Sequence, residues 1–112
     1  MGVQVSVPRF DVIYGPTNQI QFKLYDGAEL VITSHGYPNK AACFKAIQLV
    51  KENARVDQRY DKKNVDGKFS FTLKAATHEV LATGGPYDTA EAREKVIAIL
   101  RKSVEAAVTD KA

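Results

Sequence analysis

One cysteine in 112 residues, Cys43, rules out an intrachain disulfide, and a lone thiol suits a reducing compartment. No stretch approaches the roughly 18 consecutive apolar residues of a membrane-spanning helix, so no membrane segment is expected. Met1 to Pro8 lack both the basic start and the unbroken apolar run of a secretory signal, and a cytoplasmic location follows as the expectation. Histidine is scarce: His35 and His78 are the only two, and with Cys43 they cannot complete a four-ligand zinc site without a carboxylate. No metal and no cofactor is expected. Neither a P-loop nor a G-x-S-x-G elbow is present. Charge is not extreme either, since a net +3 is ordinary for a small soluble domain.

What the chain does have is a repeat of about fifty residues. Phe10-Asp11 returns as Tyr60-Asp61, Phe22-Lys23-Leu24 as Phe71-Thr72-Leu73, Glu29 to Thr33 as Glu79 to Thr83, and Tyr37 as Tyr87. The apolar set Ala42, Ala46, Ile47, Leu49, Val50, Ala54 returns as Ala92, Val96, Ile97, Ile99, Leu100, Val104. A chain of this length supports one core, so the copies must share it. The first copy spans about 10–59 and the second about 60–109 of a single domain 1–112, with 1–9 as a leader whose Val3, Val5 and Val7 have strand period.

Within each copy the period changes once. Phe10 to Tyr14 alternates, Gly15 to Asn18 turns, and Ile20, Phe22 and Leu24 share one strand face; Asp26-Gly27 then suits a tight hairpin into a third strand, Glu29 to Thr33. Asn39 caps a helix running to about Asn53, which turns Ala42, Cys43, Ala46, Ile47 and Val50 toward the sheet. Val56 to Tyr60 reads as extended. In the second copy Val65 to Lys68 is the turn, Phe69, Phe71 and Leu73 alternate, Asp88 or Thr89 caps the helix, and Ala106 to Thr109 is a short closing strand. The fold class is α+β, two tandem β-β-β-α-(β) units related by a pseudo-two-fold.

An aromatic-Asp start, Phe-x-Leu, a hairpin turn, Glu before an apolar triplet, Thr-x-x-x-Tyr and a small-residue helix opening resemble the YegP-like family of small proteins built from one or two copies of a domain of unknown function. The similarity covers roughly residues 10–109. It implies one antiparallel sheet made by both units, helices packed on it, the strand after each helix exchanged into the other unit, and a chain equivalent to a fused dimer. The hairpin and helix openings depart from the family pattern at Thr77-His78, Tyr37-Pro38-Asn39-Lys40 and Tyr87-Asp88-Thr89-Ala90. No activity comes with the resemblance.

Two regions are candidates for binding. The junctions between third strand and helix, Thr33, Ser34, Gly36 and Tyr37 in one copy and Thr83, Gly84, Gly85 and Tyr87 in the other, place glycines before a helix start, where exposed N–H groups hold anions. Residues 40–74 carry nine Lys/Arg against four Asp/Glu, a local +5. Within it Arg55, Arg59, Lys62, Lys63, Lys68 and Lys74 form a candidate nucleic-acid patch, although a solvated charged face is the plainer account. Ser34 beside His35 points to the opposite face on an extended chain, and Asp11 and Asp61 read as solvated strand carboxylates, so no enzyme is expected. The sequence therefore points to a small non-catalytic binding or interaction module, monomeric as an internal pseudo-dimer. Weak nucleic-acid or nucleotide binding through 55–74 or the junction loops is the alternative. The partner classes left open are a protein, a nucleic acid or a small anion.

Overall fold

The computed structural model describes residues 8–112, and the expected leader strand at Val3, Val5 and Val7 lies outside the described residues. The elements run β1 (Arg9–Tyr14), β2 (Ile20–Asp26), β3 (Glu29–Thr33), α1 (Lys40–Asn53), β4 (Tyr60–Val65), β5 (Lys68–Lys74), β6 (Val80–Tyr87), α2 (Ala90–Arg101) and β7 (Ala107–Asp110). All seven strands form one sheet in the order β4-β5-β6-β3-β2-β1-β7. Without β7 this order reads the same from either end once the copies are exchanged. The centre is the antiparallel pair Thr33↔Thr83, a residue opposite its own repeat partner, which is the pairing a two-fold axis generates.

Register carries the alternation across the whole sheet. Val108, Phe10, Leu24 and Ile32 lie in one cross-strand row, and Ala82, Leu73 and Tyr60 form its counterpart beyond the seam. This is the helix-facing side, and Phe10, Leu24, Ile32, Leu73 and Ala82 are buried there. The neighbouring row is polar: Thr109, Asp11, Lys23, Thr33, Thr83, Thr72 and Asp61. Both helices bury their stripes in the same core, Cys43, Ala46, Ile47 and Val50 from α1 with Ile97 and Leu100 from α2. Phe10 and Phe22 meet edge to face at 5.6 Å. Burying each such side chain stabilises the fold by about 1.5–3 kcal/mol.

The turns follow their residues. Asp66 and Gly67 take φ of +52° and +74°, the two positive values a type I′ hairpin needs, and Gly27 takes +63°. Asn39 accepts from the Ala42 amide at 2.8 Å and Thr89 from the Ala92 amide at 3.0 Å; Asp88 is bound to Lys68 instead.

Four details differ from the sequence reading. Asp57–Arg59 form a 3-10 turn rather than an extended run, so the chain leaves α1 by that turn and enters β4 on the far edge. β7 pairs with β1 in parallel, the one parallel pairing among the described strands. Each helix is thus followed by a strand in the other copy's half. Bulges at matching positions, Val31 and Leu81, interrupt the alternation, and the successive residues Leu81 and Ala82 both lie in the core. Asp11 is buried, not solvated, between Arg9 at 3.5 Å and Lys111 at 3.1 Å, whereas Asp61 stays open beside Lys74.

Candidate functional site

Each helix keeps a second stripe beside its core stripe. On α1, Ala42, Lys45, Ala46 and Leu49 have the i, i+3, i+4, i+7 spacing of one face and, with Tyr37 and Glu79, line a cleft of about 160 Å³. On α2, Ala92, Lys95, Val96 and Ile99 repeat that spacing and, with Tyr87 and Glu29, line a cleft of about 220 Å³. Every lining residue of one cleft has its counterpart fifty positions away in the other. Tyrosine and helix come from one copy and glutamate from the other, so neither copy completes a cleft alone. The seam explains why. In an antiparallel pairing centred on Thr33 and Thr83, the residue four before Thr83 runs level with the residue four after Thr33, which sets Glu79 by Tyr37 and, by the same count, Glu29 by Tyr87.

The clefts are apolar on the helix side and carry one charge of each sign. Lys45 and Lys95 are exposed, and among the described residues neither lysine nor either glutamate enters an ion pair. Tyr37 is 6% exposed, stacked on Phe22 at 6.4 Å with the His35 ring 4.4 Å away, and its buried hydroxyl has no hydrogen-bond partner. Burial, helped by the charges of Glu79 and Cys43, pushes its pKa up to about 12. Tyr87 is half-buried; burial also raises its pKa, with the Gly85 amide opposing and Glu29 adding. A larger cavity of about 290 Å³ opens on the seam among Thr33, His35, Val80 and Thr83 and shares Glu79 with the first cleft.

Ser34, Gly36 and Gly84 of the junctions sit in close packing. Ser34 accepts from the Phe22 amide at 2.9 Å and donates to the His35 carbonyl at 2.8 Å. A Cβ on Gly36 would lie 1.9 Å from Gln19 Oε1, and one on Gly84 would lie 2.2 Å from Phe71 Cε1. Thr83, Gly84 and Gly85 lie within β6 rather than in a loop, and α2 starts only at Ala90. Of the eight junction candidates, Tyr37 and Tyr87 are the two in the paired clefts.

The domain of unknown function DUF1508 matches residues 17–61 and again 64–110. The chain belongs to this family. It is 38% identical over 94 residues to the UPF0339 protein YegP of Shigella flexneri, covering 82% of this chain and 86% of that one. The solution NMR structure of Escherichia coli YegP, described as a protein of unknown function, matches with TM-score 0.85 at 34% identity, over 98% of this chain and 97% of that one. That of a UPF0339 protein from Shewanella oneidensis matches with TM-score 0.85 at 25% identity, over 93% and 91%. The DUF1508 fold, a single α+β sheet from tandem units with two helices, is thereby shown, and the family brings no activity with it.

On this family framework Lys63, Lys68 and Lys74 share the sheet face away from the helices, and Lys62, Arg55 and Arg59 lie apart from them. Lys62 stands opposite Phe71 on the helix-facing side and pairs with Glu94 at 2.9 Å, while Lys63 stands opposite Ser70 on the other side. Lys68 pairs with Asp88, and Lys74 with Asp61 at 3.5 Å. Hydrogen bonds from Lys62 and from Lys68 hold Glu94 and Asp88 below the usual carboxylate range. Arg59 donates to Asn53 Oδ1 at 3.0 Å, and Arg55 lines a shallow hollow with Gln48, Lys51, Glu52 and Val104. Cys43 is fully buried, and burial pushes its thiol up to about 11, an unreactive state at neutral pH. Among the described residues no three His, Cys, Asp or Glu side chains gather as a metal would need, and no helix is long and apolar enough to cross a membrane.

Sequence reading missed Lys45, Lys95, Glu29 and Glu79 as a set. The signal was there, because these polar identities recur at the fifty-residue offset. Their convergence depends on the seam register, which no local pattern encodes.

Proposed function

We propose that this DUF1508 protein is a small non-catalytic binding module, a fused pseudo-dimer that takes a small molecule into each of two clefts shared by its copies. The observation that carries this reading is the six-for-six match of the cleft linings, each with an uncommitted lysine and glutamate over an apolar floor. Pockets with a largely apolar lining and a few convergent polar groups are where small ligands bind. Volumes near 160 and 220 Å³ suit such a guest, since about 150 Å³ already holds benzene. The non-catalytic part rests on how the candidate nucleophiles are used. Ser34 is committed to the backbone, Cys43 is sealed as a thiol, and neither has a positioned base.

An amide NMR titration tests this against nucleic-acid binding. Small probes of about benzene to leucine size should shift Ala42, Lys45 and Leu49 together with Ala92, Lys95 and Ile99. Shifts confined to Lys63, Lys68 and Lys74 with single-stranded DNA, lost as salt rises, would replace the cleft reading with the nucleic-acid one. Light scattering should find a monomer, the dimer partner being already attached.

A further inference from the structure

We propose that each cleft is built for a zwitterion with an apolar body, the size of an aliphatic α-amino acid, whose carboxylate meets the lysine, whose ammonium meets the glutamate and whose side chain lies on the helix. This rests on the two-cleft reading above and names its ligand class. Charge excludes the other ligand classes. Glu79 and Glu29 oppose phosphate and other anions in spaces this small, and Lys45 and Lys95 oppose metal ions and simple amines. A guest with both charges satisfies both walls, and the two groups have not neutralised each other by pairing. The floor of Ala42, Ala46 and Leu49, or Ala92, Val96 and Ile99, gives the guest's hydrocarbon a dry surface. The Tyr37 side chain closes one wall of the first cleft, with its hydroxyl buried and unpartnered.

The experiment compares three probes of matched hydrocarbon on the intact chain: L-leucine, isoamylamine and 4-methylpentanoate. Amide shifts of both helices should saturate with L-leucine, and each singly charged probe should bind at least about tenfold more weakly, the loss of one charge-assisted contact. Lys45→Met and Glu79→Gln, both at exposed positions, should each weaken L-leucine at the first cleft by a similar factor, with amide spectra elsewhere unchanged. If either singly charged probe equals L-leucine, the zwitterion assignment is wrong while the binding-module reading stands. If no probe moves either helix, both are wrong.

Discussion

The Tyr37 and Tyr87 clefts share six positions and differ in what lies beneath them. Beneath the first, Cys43 is buried and apolar in character; at the matching place in α2, Arg93 is 9% exposed and reaches Asn64 at 2.9 Å and the Phe69 ring at 5.5 Å. Ser34 is a buried hydroxyl locking β2 to β3, and its counterpart Gly84 leaves room for the Phe71 ring. Asp11 is buried and Asp61 is not. The two copies have found different solutions for core and junction, yet the tyrosine, lysine and glutamate of the clefts are the same in both. Packing admits many substitutions of similar volume; a site that must present one cation and one anion admits few.

The largest effect is expected in the shared core. Ile47→Ala and Ile97→Ala, at side chains 1% and 2% exposed, should each cost roughly 2–5 kcal/mol, and calorimetry should show one transition for both. Two transitions would separate the halves. Glycine replacements sharpen the difference between junctions. Gly84→Ala drives a Cβ into a buried ring and should cost about 1–3 kcal/mol in urea unfolding, whereas Gly36→Ala meets the exposed Gln19 side chain and should cost less. Equal losses would mean that the two junctions are packed alike.

Alkaline pH should then act through the buried protonated groups. The folded pKa values of Tyr37 and Tyr60, about 12, and of Cys43, about 11, stand above their ordinary values of 10.0 and 9.0. The unfolded chain loses those protons first, so the stabilisation is complete below about pH 9 and is lost as pH rises toward 12. Tyr37→Phe should flatten that decline and, by removing a buried unpartnered hydroxyl, leave neutral-pH stability unchanged or raised by up to about 1 kcal/mol. A large loss at neutral pH would show that the hydroxyl has a partner. The smallest effect is at the surface: Lys62→Met, removing the pair to Glu94, should change stability by less than about 1 kcal/mol.

Much of the fold was legible because local periods and turns agreed with the global design. The β3 strand, the Asn39 cap, the end of α1 at Asn53 and the Asp66-Gly67 turn stand where residue chemistry puts them. The bulges at Val31 and Leu81 escaped, since an apolar pair of neighbours looks like any other in a strand. Asp57 to Arg59 escaped too: Val56 and Tyr60 on either side are extended as their side chains permit, but the chain must turn between them to reach β4, and Arg101 from the other copy holds Asp57 in the turn. For the clefts, the repeat exposed Glu29 and Glu79 as well as Tyr37 and Tyr87, but not that each glutamate meets the other copy's tyrosine across the seam.

Each glutamate serves the other copy's helix, and one paired titration tests that crossing. L-leucine is titrated into Glu79→Gln and into Glu29→Gln, and the amides of both helices are followed in each. Glu79→Gln should weaken binding at the α1 cleft and spare α2, and Glu29→Gln should do the reverse. Loss on the glutamate's own copy, Glu79 with α2 or Glu29 with α1, would contradict the account.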